Sequence, residues 1–121
     1  MNAHEKLNYL EFPARDLAAA RTFFETVFGW RFTDYGPDYT AFDATSAGID
    51  GGFFRSEQSV STAAGSALAV LYSTQLEQTQ AKIEAAGGAI VRPVFSFPGG
   101  RRFHFCDPNG NEYAVWSDRD G

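Results

Sequence analysis

The chain has 121 residues, of which 44% are hydrophobic and 21% are charged. This length favours a single domain with its own core, and the composition excludes a wholly disordered chain. Fifteen acidic side chains against ten basic ones give a net charge of −5. Nucleic acid and anionic membrane surfaces are therefore poor candidates as partners, because no excess of cations is available to neutralise phosphates.

Aromatic residues are unusually frequent, with 12 Phe, 5 Tyr and 2 Trp. So many rings require a large core or a lined cavity. The single cysteine, Cys106, excludes an internal disulfide and a cysteine-based zinc site. The first residues contain no apolar run of signal-peptide length, and no segment approaches the roughly 20 apolar residues that span a bilayer. We therefore expect a cytoplasmic protein.

The first half of the chain predicts a strand, a helix and three further strands. Alternating side chains indicate a strand over residues 7–13. Asp16 is placed as the N-cap of a helix that ends at Gly29, and apolar residues recur between them at steps of three and four. The three strands that follow are expected over residues 30–35, 38–43 and 49–55.

The second half repeats this order after a linker rich in Ser, Ala and Gly. A strand over residues 67–73 precedes a helix over 75–86, and three strands follow over 89–95, 101–106 and 111–116. Two strand–helix–strand–strand–strand modules therefore fill a single domain of residues 1–121. The first module spans about 7–55, the linker 56–66, and the second module about 67–117.

Three segments of these modules resemble a known family. They are YLEFPARDLAAARTFFETVFGW in the first module, and GGAIVRPVF and FHFCDPNGNEYAVWS in the second. Together they resemble the vicinal oxygen chelate superfamily of glyoxalases, bleomycin-resistance proteins and extradiol dioxygenases. The resemblance implies an α+β fold in which two βαβββ modules form a curled mixed sheet. This sheet makes a cup around the ligand, with the helices on its outer face, and such proteins are commonly homodimers.

The resemblance also indicates where metal ligands would lie. Metal-using members take ligands from several cup strands, and the matching positions here are Tyr9, Leu68 and Ala114. Leucine and alanine cannot bind a divalent ion, and metal sites need three or four converging donors. The usual metal site is therefore expected to be missing, and no cofactor is predicted. A divalent metal remains an alternative only in a rearranged site drawn from Glu11, Asp50, His104 and Glu112.

Strand alternation predicts which side chains share the face of the lost ligand positions. These cup residues are Tyr9, Glu11, Leu68, Val70, Tyr72, Glu112, Ala114 and Trp116, and the resemblance adds His104 with Arg102. The opposite parity places Leu10, Phe12, Phe103 and Phe105 beneath the helices, in one small core per module.

The cup residues have the character of a binding pocket, with aromatic walls and a few ionisable groups. His104 beside Glu11 or Glu112 could act as an acid or base, or could be a structural hydrogen-bonding group. Arg102 could bind a carboxylate or phosphate, or pair with Glu112. Glu11 lies either in the cup or in solvent at its rim.

Three further features are weaker. Residues 97–100 form either a loop over the cup mouth or a simple hairpin turn. Gly51 and Gly52, inside a strand, indicate a bulge or a close approach of the backbone. Cys106 shares the face of His104 and is expected to behave as an inert small hydrophobe.

Three functions are compatible with these features. The first is a metal-independent protein that binds a small organic molecule, aromatic or cationic, and resembles the bleomycin-resistance branch. The second is a lyase- or isomerase-type enzyme that uses the rearranged metal site, or acid–base chemistry through His104 and a carboxylate. The third is a structural subunit with a filled cup. The excess of acidic over basic residues favours a neutral or cationic ligand, whereas the positive charge of Arg102 favours an anionic one.

Overall fold

The computed structural model describes residues 2–119, which fold as two successive βαβββ modules. The first contains β1 (Tyr9–Ala14), α1 (Leu17–Phe28), β2 (Phe32–Asp34), β3 (Tyr39–Phe42), the short α2 (Ala44–Ala47) and β4 (Asp50–Arg55). The second contains β5 (Ala69–Tyr72), α3 (Leu76–Ala85), β6 (Ala89–Phe97), β7 (Gly100–Cys106) and β8 (Glu112–Ser117). The predicted α+β class and element order are confirmed, and α2 is an addition.

Each module forms a four-stranded mixed sheet. The strand orders are β1-β4-β3-β2 and β5-β8-β7-β6. In both sheets the first strand runs parallel to the last, and the other neighbours are antiparallel. The two sheets remain separate and open, so the chain alone does not close a cup.

The bounds of α1 follow from its two end residues. The Asp16 carboxylate accepts the backbone N–H of Ala19 at 3.0 Å, which satisfies one of the unpaired donors at the start of a helix. The helix ends at Gly29, whose φ of 72° lies in the left-handed region that glycine adopts without a Cβ clash. At 12 residues α1 is the longest helix in residues 2–119, and no helix there has the length and apolar character to cross a membrane.

A single apolar core lies between the two sheets and encloses one side of α1. The ring of Phe24 lies 5.6 Å from that of Phe53 in the first sheet and 5.3 Å from that of Tyr113 in the second. Phe23 also reaches the second sheet, with its ring 6.1 Å from that of Phe105. The expectation of one core per module is therefore wrong, because α1 contributes aromatic side chains to both sheets.

The other faces of the two sheets point away from this core, because successive side chains of a strand alternate between faces. Tyr9, Val70 and Tyr72 are accordingly 44 to 46% exposed. Phe12 is buried as predicted, whereas Leu10 is 37% exposed. Both line a small apolar cavity of about 170 Å³ between the modules.

The turn between β7 and β8 is shaped by a buried aspartate. Asp107 accepts the backbone N–H groups of Asn109 and Asn111 at 2.9 and 3.0 Å, and the hydroxyl of Tyr113 at 2.6 Å. Burial raises the pKa of Asp107 above its ordinary value, although these hydrogen bonds oppose the shift. The pKa of Asp107 is therefore governed by its burial and by hydrogen bonds from residues at most six positions away.

The same turn joins the two modules. The side chain of Asn109 accepts the N–H of Asp16 and donates to its carbonyl, both at 2.9 Å. The side chain of Asn111 donates to the carbonyl of Pro13 at 2.7 Å and accepts the N–H of Val60 at 2.9 Å. Two amide side chains thus satisfy backbone groups at the end of β1, at the start of α1 and in the linker.

Gly51 and Gly52 lie in a regular stretch of β4, paired continuously with β1. A Cβ on Gly51 would overlap the carbonyl oxygen of Leu10, and one on Gly52 would overlap the phenol of Tyr39. The close approach expected from these glycines is confirmed, and a bulge does not form.

Residues 97–100 form the hairpin turn between β6 and β7, closed by a 2.8 Å hydrogen bond from the Gly99 N–H to the Phe97 carbonyl.

Replacing Asn111 with Ala tests the link between the modules. We expect a loss of roughly 2 to 4 kcal/mol in the free energy of unfolding, because the buried Pro13 carbonyl and the Val60 N–H both lose a partner. Urea denaturation measures this, with Asn8→Ala at an exposed position as the control. A loss equal to that of the control would contradict the role assigned to Asn111.

Candidate functional site

A buried imidazole–carboxylate pair lies on the outward face of the second sheet, called here the second-module face. The Nδ1 atom of His104 on β7 lies 2.8 Å from Oε2 of Glu112 on β8. Both side chains are buried. The antiparallel register of β7 and β8 pairs His104 with Ala114 and Cys106 with Glu112, so the two side chains are diagonal neighbours on one face. Of the two partners predicted for His104, it contacts Glu112.

The contact with Arg102 indicates which ring nitrogen of this imidazole carries the hydrogen. Its Nη2 atom lies 3.1 Å from Nε2 of His104. A guanidinium nitrogen is always a donor, so Nε2 must accept and the ring proton must lie on Nδ1. His104 is then neutral and donates to Glu112. Arg102 and Glu112 do not form the direct salt bridge that was considered, because the imidazole separates them.

Thr62, in the linker, completes the surroundings of Glu112. Its backbone N–H donates to Oε1 at 2.7 Å, and its hydroxyl lies 3.0 and 3.1 Å from the two carboxylate oxygens. Burial acts to raise the pKa of Glu112, but the hydrogen bonds from His104 and Thr62 outweigh it and lower the pKa below the ordinary value. Glu112 is therefore an ionised group that accepts a hydrogen bond at each of its carboxylate oxygens.

Strand β6 adds a cation and a ring to the second-module face. The guanidinium carbon of Arg92 lies 3.7 Å from the ring centre of Phe95, and that of Arg102 lies 5.5 Å from the same ring. The pairing of β6 with β7 is irregular on both sides of Arg92. These irregularities place Arg92 opposite His104 and Phe95 opposite Arg102.

Three more rings border this polar group. The Trp116 ring lies 5.1 Å from that of Tyr72 and 6.3 Å from that of Phe97. Tyr72 is 46% exposed, and its hydroxyl donates to Asp118 at 2.5 Å. The second-module face thus combines exposed aromatic surface with a buried, hydrogen-bonded set of charged groups.

The outward face of the first sheet, called here the first-module face, carries a separate polar chain. The Tyr39 hydroxyl donates to Glu11 at 2.9 Å and lies 2.5 Å from the Tyr9 hydroxyl, which must therefore be the donor to Tyr39. Burial, with hydrogen bonds to Tyr9 and Glu11, raises the pKa of Tyr39 well above its ordinary value. Glu11 is exposed and contacts Tyr39, not His104.

The residues at the usual metal positions do not fit a metal ion. Tyr9 offers one phenol oxygen, and the side chains of Leu68 and Ala114 have no donor atom. Within residues 2–119 no group of three or more His, Cys, Asp or Glu side chains could hold an ion. The rearranged set is divided between the two sheets, and Asp50 accepts the Ala44 N–H at 2.6 Å.

Two other features carry no site. Burial, with the nearby charges of Asp107 and Glu112, raises the pKa of Cys106 above its ordinary value, so its thiol is protonated and unreactive at neutral pH. A groove of about 450 Å³ beside the start of α1 is lined by arginines. There Arg21 and Arg55 are already paired with Asp34 and Asp38.

Sequence reasoning did not assign four residues to the second-module face, namely Thr62, Arg92, Phe95 and Phe97, the last of which was expected only in the segment at the cup mouth. Thr62 lies in a segment without periodicity, so no pattern indicated its contact. The other three lie on β6, where the irregular pairing breaks the alternation of faces that was used on the neighbouring strands. Pro93, inside that strand, was the available signal, since proline within a sheet marks an edge or a bulge.

The fold described above consists of two βαβββ modules, each with an open mixed sheet. The sequence profile of the Glyoxalase/Bleomycin resistance protein/Dioxygenase superfamily matches residues 6–115. The chain therefore belongs to this superfamily, and the resemblance found in the sequence is confirmed. A search of curated proteins finds no match.

Solved structures share the fold at low sequence identity. A glyoxalase/bleomycin resistance protein/dioxygenase family enzyme from Burkholderia phytofirmans PsJN matches with a TM-score of 0.77 and 17% identity, over 93% of this chain and 98% of that one. A genomically encoded fosfomycin resistance protein from Listeria monocytogenes gives 0.74 and 16%, over 95% and 94%. A lactoylglutathione lyase from Agrobacterium tumefaciens gives 0.68 and 18%, over 96% of both.

Replacing Glu112 with Gln is expected to reduce the acid sensitivity of the fold. A carboxyl group whose pKa is lowered by folding stabilises the fold fully above its unfolded pKa, and this contribution is lost as the pH falls through the folded value. The wild-type chain should therefore lose more stability than Glu112→Gln between about pH 6 and about pH 3. Urea denaturation across this range measures the difference. Equal losses, with exposed Glu84→Gln as control, would refute it.

Proposed function

We propose that this chain binds a small organic molecule on the second-module face. The observation that carries the proposal is the Arg102–His104–Glu112 chain of hydrogen bonds, which runs from a half-buried guanidinium to a buried carboxylate and is bordered by the exposed ring of Tyr72 and the half-buried ring of Trp116. A few convergent polar groups beside aromatic surface are typical of small-molecule sites. A purely structural role would not require the ring of Tyr72 to be exposed.

The hydrogen bonding of His104 favours binding over acid–base catalysis. A general base needs a free lone pair within reach of the proton that it removes. Here the lone pair of Nε2 is occupied by Arg102, and Nδ1 donates to Glu112. The imidazole thus holds Arg102 in position on the face, and an enzymatic reaction would first have to break this contact.

We further propose that a second copy of the chain covers the face and completes the cup. The first-module face exposes the ring of Tyr9, and the second-module face exposes Val70 and Tyr72, so both faces carry surface that a second copy can cover. Val70 and Tyr72 leave apolar surface exposed beside the arginines. Covering this surface supplies a driving force for association.

A ligand screen tests the binding proposal. Thermal-shift measurements with a panel of small neutral, anionic and cationic compounds should identify stabilising ligands, since a ligand at about 100 times its Kd adds about 2.7 kcal/mol. Trp116→Ala should weaken these hits by about tenfold or more. Tyr35→Ala, an exposed ring on the first module, is the matched control. Hits that persist unchanged in Trp116→Ala would show that the ligand binds elsewhere.

Sedimentation equilibrium tests the assembly. The wild-type chain should sediment as a species of twice its 13.3 kDa mass. Val70→Arg should give a monomer, because it places a charge in the apolar part of the covered face. The control Ala81→Arg, on the exposed side of α3, should remain dimeric. A monomeric wild-type chain at high micromolar concentration would exclude the second copy.

A further inference from the structure

Two arginines of the second-module face have no carboxylate partner. In residues 2–119 neither Arg92 nor Arg102 forms an ion pair, whereas Arg21 and Arg55 each bind an acidic side chain at 2.8 to 2.9 Å. The chain contains fifteen acidic residues and ten basic ones, so partners are abundant elsewhere. Two adjacent unpaired cations in an acidic protein therefore indicate a local need for positive charge.

The guanidinium group of Arg102 retains unused donors. It donates one hydrogen bond, from Nη2 to the neutral His104, and within residues 2–119 its other Nη N–H groups have no acceptor. A neutral imidazole supplies no charge to balance the cation. An oxyanion at this group would supply both the acceptors and the charge, and guanidinium binds planar oxyanions with two parallel hydrogen bonds.

Arg92 is held in a position that suits the same ligand. Its guanidinium stacks on Phe95 at 3.7 Å, while Arg102 approaches this ring to 5.5 Å. Stacking uses the flat side of a guanidinium and leaves the N–H groups at its edge available. The ring thus positions two cations at one part of the face.

The surroundings supply a place for a flat apolar group and no strong repulsion of an anion. Trp116 and Tyr72 present ring surface next to Arg102, which is paired with Trp116 across β7 and β8. Of the carboxylates beside this surface, Glu112 accepts hydrogen bonds from His104 and Thr62, and Asp118 accepts one from Tyr72. The imidazole of His104 therefore stands between the Glu112 charge and Arg102.

From these contacts we infer that the second-module face selects flat organic anions, with an aromatic carboxylate as the simplest example. The inference rests on the proposed function and specifies the ligand class of that site. The overall charge of −5 suggested a neutral or cationic ligand. The two arginines of this face favour an anionic ligand instead. The oxyanion binds Arg92 and Arg102, and the flat group packs on Trp116 and Tyr72.

Nuclear magnetic resonance titration of the full chain tests this selectivity. Sodium benzoate and benzylamine hydrochloride have the same ring and opposite charge, and sodium acetate has the anion without the ring. Benzoate should shift the indole N–H signal of Trp116 and the amide signals of residues 92–104, with a Kd at least tenfold lower than that of the other two probes. A tenfold difference corresponds to about 1.4 kcal/mol.

Charge-removing variants identify the groups responsible. Arg102→Gln and Arg92→Gln should each raise the benzoate Kd by about tenfold, because each removes a charge-assisted hydrogen bond. Arg31→Gln is the matched control, since Arg31 lies on the first module and pairs with Asp43. It should leave the Kd within about twofold. Arg92 is exposed, so its replacement tests the inference even if Arg102→Gln does not fold.

Two outcomes would overturn the inference and are distinguishable from failure of the proposed function. If benzylamine shifts Trp116 as strongly as benzoate does, the face binds small molecules and the assigned charge class is wrong. If benzoate causes no shift at Trp116, the anion site is absent. The ligand screen then decides separately whether the face binds any compound.

Discussion

The hydrogen bonds of the turn between β7 and β8 are the constraint on which the rest of the structure depends. Asp107 closes the turn, and Asn109 and Asn111 extend from it to the backbone of Asp16 and Pro13. These bonds hold the second sheet against the start of α1, so that the aromatic side chains of α1 contact both sheets. A shared core leaves each sheet only one other face, and that face must be in solvent or against a partner.

The same turn organises the second-module face. It fixes the antiparallel register of β7 and β8, which places His104 beside Glu112. It also holds the linker, because Val60 donates to Asn111 and accepts the backbone N–H of Glu112. Thr62 follows two residues later and binds the Glu112 carboxylate. A structural turn and a candidate binding site are thus parts of one hydrogen-bonded network, and the local chemistry of the site differs from the overall charge of the chain.

Much of the fold could be predicted because it depends on local signals. Asp16 and Gly29 mark the ends of α1, and the repeat of the module is visible in the order of strands and helices. Glu112 was one of the two partners of His104 expected once the resemblance had placed His104 in the cup. The positions of Arg92 and Phe95 could not be predicted, because the irregular pairing of β6 changes which side chains share a face. Thr62 lies in a segment without periodicity, and its contact depends on a residue 50 positions away.

The sequence by itself determined the two modules, the family, and the absence of donor side chains at Leu68 and Ala114, because these depend on residue identity and on short-range periodicity. Only the tertiary structure decided that the 12 Phe, 5 Tyr and 2 Trp contribute to one shared core and to two outward faces. The physical reason is that core formation depends on how the modules pack, and this packing is directed by hydrogen bonds between residues more than 90 positions apart. The location of unpaired positive charge in an acidic chain is likewise a property of side chains brought together by folding.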